Sequence, residues 1–289
     1  MNLQFLLGQA LTNGLVIGLL YLLMAIGFTL VFGVMRIANF AHGEFYMLGA
    51  FVAFITVKWL GLPYIASVLA AFALALVLGW LIEVVVLKPF RGDELNGLIA
   101  TLGLGMIIQN LALISFGPDP QSMPATVTGV FKMGSIVVPL SRLYVVAFSA
   151  AVLALLWFFL MHTRSGRALR AVVEDIEIAR AQGIHAHIVY PLGFGLGVAL
   201  AATAGALMAP VFSVSPFIGA TPLFKAFIVV VLGGLGSIPG AALASLLLGL
   251  AESLGSTFFD GSTADMMIFV LVILVLVIRP SGLLGRAEN

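Results

Sequence analysis

The 289-residue sequence contains no cysteine, which excludes disulfide frameworks and thiolate metal sites. Charge is almost as scarce. Only 9% of residues are charged and 62% are hydrophobic, against about 25% and about 45–50% in soluble domains. So few charges cannot cover a surface in water, so most of this surface must face hydrocarbon. The net charge is +1 with no long basic run, so nucleic acid is not an expected partner. Catalytic motifs are missing too. HExxH does not occur, and His185 and His187 share a stretch with no carboxylate at metal spacing. No lysine follows a glycine, which excludes a P-loop. No catalytic, metal or cofactor site is therefore expected, and the chain is not expected to be an enzyme. The N-terminus has no positive stretch before its apolar run and no small-residue cleavage site, so that run reads as a retained span.

What is present is a succession of apolar runs. A helix needs about 20 apolar residues to cross a bilayer. Charge and Gly/Pro punctuation place segments near 10–34, 38–58, 63–87, 95–117, 141–161, 187–210, 223–234, 239–256 and 264–279. The fold class expected is all-α, a polytopic transmembrane bundle of eight or nine segments in a single domain, 1–289. The run from Pro222 to Gly234 is too short to cross: 13 residues of helix rise about 20 Å. Thr221 reads as its N-cap with Pro222 in the first turn. Gly233, Gly234 and Gly236 stop it, and Ser237-Ile238-Pro239 starts the next helix. A broken pair over 222–256 is tolerated at membrane depth only if buried in protein or lining a watery cavity. A tight turn near one membrane face fits the pattern equally.

Lysine and arginine favour the cytoplasmic side. Arg164, Arg167, Arg170 and Arg180 share the loop 162–187, and alternation outward puts Arg36, Lys88, Arg91, Arg279 and Arg286 with them. Lys58, Lys132, Arg142 and Lys225 fall on or toward the other side. This predicts an external N-terminus, a cytoplasmic C-terminus and an external loop at 118–140. Glycines four apart (Gly14 and Gly18, Gly193 and Gly197, Gly236 and Gly240) suit close helix packing.

Two polar stretches stand out. Across 163–184, Leu169, Val172, Ile176 and Ala179 make an apolar stripe, with Arg167, Arg170, Glu174 and Glu177 on another face. This amphipathic helix, bounded by Gly166 and Gly183, fits either the membrane surface or a groove on a cytoplasmic partner. Across 39–50, Asn39, His42 and Glu44 open an apolar span, where ionisable groups usually face a bundle interior or a watery cavity. Positions two apart on a helix point to opposite sides, so His42 and Glu44 do not form a dyad. Capping or bracing helix ends near the cytoplasmic face is the alternative role. Glu83 and Glu252 read as isolated acids near span ends.

Four stretches in order, residues 37–50, TRSGRALRA…ED…GI (163–184), KAFIVVVLGGLGSIPGA (225–241) and RPSGLLGR (279–286), resemble permease subunits of bacterial branched-chain amino acid ABC transporters, the leucine/isoleucine/valine H-type family. The resemblance implies a cytoplasmic-membrane importer. It implies as partners a paralogous permease, two cytoplasmic ABC ATPase subunits and an extracytoplasmic substrate-binding protein. It places ATPase coupling on Gly166, Arg167, Arg170, Glu174, Asp175 and Gly183. Asn39, His42, Glu44, Gly233, Gly234, Gly236 and Pro239 are the candidates for the translocation path. Relatives carrying urea, amides or other amino acids leave the solute open, and an ion-coupled transporter acting alone is the rival reading.

Overall fold

Each apolar run of the sequence becomes a helix. The computed structural model describes residues 3–124, 127, 129–133 and 136–285; Arg286 lies outside them. The helices are α1 (Leu3–Met35), α2 (His42–Lys58), α3 (Tyr64–Ile82), α4 (Glu94–Phe116), α5 (Leu140–His162), α6 (Arg164–Glu174), α7 (Ile176–Ala181), α8 (Ala186–Met208), α9 (Ala220–Gly233), α10 (Ile238–Phe258) and α11 (Gly261–Ile278). A π-helical turn, Glu83–Leu87, and a 3-10 turn, Lys88–Phe90, continue α3. Among the described residues seven helices are long and apolar enough to span a membrane. α2 and α9 are shorter, at 17 and 14 residues. Together they account for the nine expected segments.

α8 forms the centre with α1, and α2, α3 and α10 pack around them. Small residues permit this. On α8, a Cβ on Gly205 would collide with the Tyr46 carbonyl, and Gly197 lies against Gly27 of α1. Gly14 and Gly18 of α1 likewise sit against the α10 backbone around Ser245–Leu250. With little hydrophobic drive between helices in lipid, such close backbone packing is what holds them. The remaining long helices, α3, α4, α5 and α11, leave broad apolar faces exposed, including Leu69, Ile114, Leu155 and Val277. That suits hydrocarbon contact.

Basic residues gather at one end of the bundle. α1 runs antiparallel to α10, and Gly33 near its C-terminus packs on Val173 of α6. Arg36, Arg91 and the arginines of α6 therefore share this basic end. At the far end, strand β1 (Val130–Met133) pairs antiparallel with β2 (Ile136–Pro139). Gln121 exchanges backbone hydrogen bonds of 2.7 and 2.8 Å with Val214, tying the loop after α4 to the loop after α8.

Three details correct the reading of the sequence. First, α9 starts earlier. Its N-cap is Gly219, and the Leu223 N–H donates to the Gly219 carbonyl, so Thr221 is already helical. Second, the amphipathic segment is two helices. Asp175, with extended backbone, caps α7 by accepting from the Glu177 and Ile178 N–H groups at 2.8 and 2.9 Å. Gly166 sits within the first turn of α6 rather than at its boundary. Third, residues 38–41 are not helical, and α2 begins deep in the bundle. Gly97, Thr101 and Gly105 of α4 meet Ile37, the 38–40 backbone and Ala41 in turn. Gly105 lies 11 residues beyond Glu94, about 16 Å along the helix. At that depth Gly43 meets Gly219, so the short helices α2 and α9 oppose their N-termini near mid-bundle.

Candidate functional site

α9 runs from that junction to the basic end, where its C-terminus is closed by the tail. The Leu283 N–H donates to the Leu232 carbonyl at 2.8 Å and the Leu284 N–H to the Gly233 carbonyl at 3.1 Å. Gly234 and Gly236, with φ of 98° and 80°, make the turn, and Ser237 caps α10 by accepting from the Gly240 N–H at 3.1 Å. Gly233 packs against Gly240, whereas Gly236 and Pro239 are exposed. The turn thus lies at the basic end, and the interruption at mid-depth is at the other end of α9.

Asn39, His42 and Glu44 stand where α2 begins. The Asn39 Oδ1 accepts from the Ala41 N–H at 3.1 Å, tightening the entry to the helix. His42 is fully buried, with its Nε2 3.1 Å from the Met24 carbonyl and its ring edge-on to Phe28. Glu44 lies beside Gly105. No hydrogen bond joins His42 to Glu44 among the described residues. The three sit well inside the bundle rather than near its basic end.

On the far side of the α2–α9 junction is a cavity of about 410 Å³ between α1, α2, α8, α9 and α10. Most of its wall is apolar, from Leu20, Met24, Met208 and Ile218 among others. Its polar groups are Tyr21, Tyr46, Ser213, Thr221 and Glu252. Glu252 is not isolated. The Tyr21 hydroxyl donates to its carboxylate at 2.9 Å, and the Lys225 Nζ lies 3.1 Å from Glu252 and 2.5 Å from Asp265. Lys225 is 5% exposed, a buried cation at the junction of α9, α10 and α11. Glu83 is not isolated either. It is buried and held by Arg91, whose guanidinium also lies over the Tyr190 ring at 4.4 Å.

The 163–184 segment is fixed to the end of α5. The last carbonyls of a helix lack partners within it. Here the Arg170 Nε donates to the Leu160 carbonyl at 3.1 Å and an Arg167 N–H to the His162 carbonyl at 3.3 Å. Three arginines at the start of α6 oppose its own dipole but suit the C-terminus of α5. Gly166 is tight against Phe159 and Leu160, where a Cβ would collide. Leu169, Val172 and Ala179 are buried, while Arg167, Arg170, Glu174, Asp175 and Glu177 are exposed. Gly183 ends the segment with φ of 82°. No group of three or more potential metal ligands occurs among the described residues.

Long apolar helices, interrupted at mid-depth beside a polar-edged cavity, define a multi-pass membrane protein with a permease-like interior. Comparison with known proteins supplies the family. The family described as "Branched-chain amino acid transport system / permease component" matches residues 10–277, and the chain belongs to it. The chain is 39% identical to the high-affinity branched-chain amino acid transport system permease protein BraD of Pseudomonas aeruginosa, over 97% of this chain and 96% of that one. It is 38% identical to LivH of Escherichia coli K12 over the same shares. It is also 30% identical to LivM of Escherichia coli K12, over 92% of this chain and 68% of LivM.

Proposed function

We propose that this chain is a permease subunit of an ATP-driven importer for branched-chain or related amino acids, forming half of a translocation channel. The observation that carries the reading is the α6–α7 handle. Its apolar side is locked onto α5 and α1, and its charged side, with Arg167, Arg170, Glu174 and Asp175, is exposed to a partner, although Arg167 and Arg170 also bond the last carbonyls of α5. Beside it a basic cleft is lined by Arg91, Arg180, His185 and His187, suited to acidic side chains. One of two cytoplasmic ABC ATPase subunits binds there and the other binds the paired permease, and Gly166 and Gly183 set the handle's angle. Similarity to both LivH and LivM supports a paralogous permease as the other half of the channel. An extracytoplasmic substrate-binding protein delivers solute to the far end. The basic end faces the cytoplasm of a bacterial inner membrane, which places the N-terminus outside and the C-terminus inside.

The path runs through the cavity, past Asn39, His42 and Glu44 at the α2–α9 junction. It leaves beside Gly233, Gly234, Gly236 and Pro239. Purification of the complex from membranes should recover two ATPase chains per permease pair. Reversing the charges at Arg167 and Arg170 should lower solute-stimulated ATP hydrolysis while assembly persists. Unchanged hydrolysis would refute the coupling role. The buried Lys225–Glu252–Asp265 cluster favours one rival, an ion-coupled transporter acting alone. Ion-driven uptake into liposomes holding this chain alone would decide for that rival.

A further inference from the structure

We propose that the cavity between α1, α2, α8, α9 and α10 is a binding site for a zwitterionic aliphatic α-amino acid, built into the permease itself. The inference rests on the importer reading and gives it a place along the path. Three independent features converge on the same space. The first is size, since about 410 Å³ falls within the range of about 300–1,000 Å³ typical of small-molecule sites. The second is charge. Lys225 is one cation shared by two carboxylates, Glu252 and Asp265, so the cluster carries one uncompensated negative charge. Glu252 presents that charge to the cavity and accepts an ammonium group there, alongside the Tyr21 hydroxyl.

The third feature is Tyr46. It is 7% exposed, lines the cavity, and its hydroxyl makes no hydrogen bond among the described residues. The hydroxyl is reachable from the cavity, and there it is free to bond a polar group that enters. The Tyr46 hydroxyl donates to the ligand carboxylate, and the first turn of α9 at Thr221 adds the positive end of a helix dipole. Leu20, Met24, Met208 and Ile218 then surround the aliphatic side chain. These groups do not select among leucine, isoleucine and valine, because the wall is apolar on several sides.

The chain has no cysteine, so a single thiol at the cavity wall reports occupancy. In native membranes carrying the whole transporter, Ser213→Cys is labelled with a charged thiol reagent, at rest and after trapping with ATP and vanadate. Leucine, leucinamide and 4-methylpentanoate are offered as protectants. Protection by leucine in either state, with the other two markedly weaker, is the expected result. Tyr46→Phe should raise the protecting leucine concentration roughly tenfold, the worth of one hydrogen bond to a charged group. Glu252→Gln should do the same. Tyr46→Phe keeps the test meaningful if the glutamate variant fails to assemble. Equal protection by all three compounds, or protection by none, overturns the proposal. Radiolabelled leucine uptake by the same cells separates the two readings. Uptake that depends on this chain without protection removes the site and leaves the importer. Uptake that survives deletion of the chain removes the importer reading itself.

Discussion

Replacing Lys225 with methionine is the sharpest perturbation of this bundle. The lysine side chain is 6% exposed, and its partners Glu252 and Asp265 are 23% and 49% exposed. A pair of unit charges about 3 Å apart attracts by roughly 5 kcal/mol at an effective dielectric constant of 20. For Asp265, half in solvent, screening reduces the arm to about 0–1 kcal/mol. For Glu252, removing the cation leaves a poorly solvated carboxylate supported only by the Tyr21 hydroxyl. Breaking such a pair costs about 3–5 kcal/mol. Thermal unfolding of the purified protein in detergent should therefore show Lys225→Met lowering the apparent melting temperature by roughly 10 °C. Asp265→Asn should cost far less than Glu252→Gln. The double variant Lys225→Met with Glu252→Gln should regain most of the loss, because neither charge is then stranded. An unchanged melting temperature for Lys225→Met, or Asp265→Asn as costly as Glu252→Gln, would refute this account.

Gly205→Ala should prevent assembly, since its Cβ would collide with the Tyr46 carbonyl. Gly103→Ala on α4 meets nothing within 4 Å and should stabilise by about 0.5–1 kcal/mol; yield of folded protein and melting temperature check both. Ser237→Ala removes the cap of α10 and should cost about 1 kcal/mol in the same melt. The Asp260 carboxyl, which caps α11, is held below the usual carboxylate range by the Thr263 N–H. Its cap is therefore fully present at neutral pH and is lost only as pH falls through that lowered value. Amide protection factors in the first turn of α11, corrected for the intrinsic slowing of exchange by acid, should be steady under mild acidification and fall only at pH values below the ordinary carboxylate range. Pro239→Cys should react with a membrane-impermeant thiol reagent only from the cytoplasmic side, and labelling from outside would reverse the proposed orientation.

The nine helical segments were legible because hydrocarbon imposes long apolar runs, and Gly, Pro and charged residues punctuate them. The Ser237 cap was legible for the same local reason. The entry of α2 was not. Residues 38–41 read as the start of a span, yet their path is set by Thr101, whose hydroxyl joins the Ala38 carbonyl and the Phe40 N–H. That partner lies some sixty residues away. The start of α9 was misplaced because the contact of Gly219 with Gly43 outweighs the capping preference of Thr221. Lys225, Glu252 and Asp265 come together from three helices, at separations of 27 and 40 residues from the lysine. A signal existed, because a lysine inside an apolar run needs a buried partner, and Glu252 was the nearest acid. The single helix expected over 163–184 failed at Asp175, whose side chain serves the backbone ahead of it better than helix continuation would.

Where α2 and α9 meet, backbone lies directly on backbone with Leu223 beside it: a Cβ on Gly43 or on Gly219 would strike the other's carbonyl. This seam, at the middle of the bundle, is filled to its limit, since the smallest side chain at either glycine would act as a wedge between the starts of two short helices. What the two helices tolerate is thus decided at a single pair of residues.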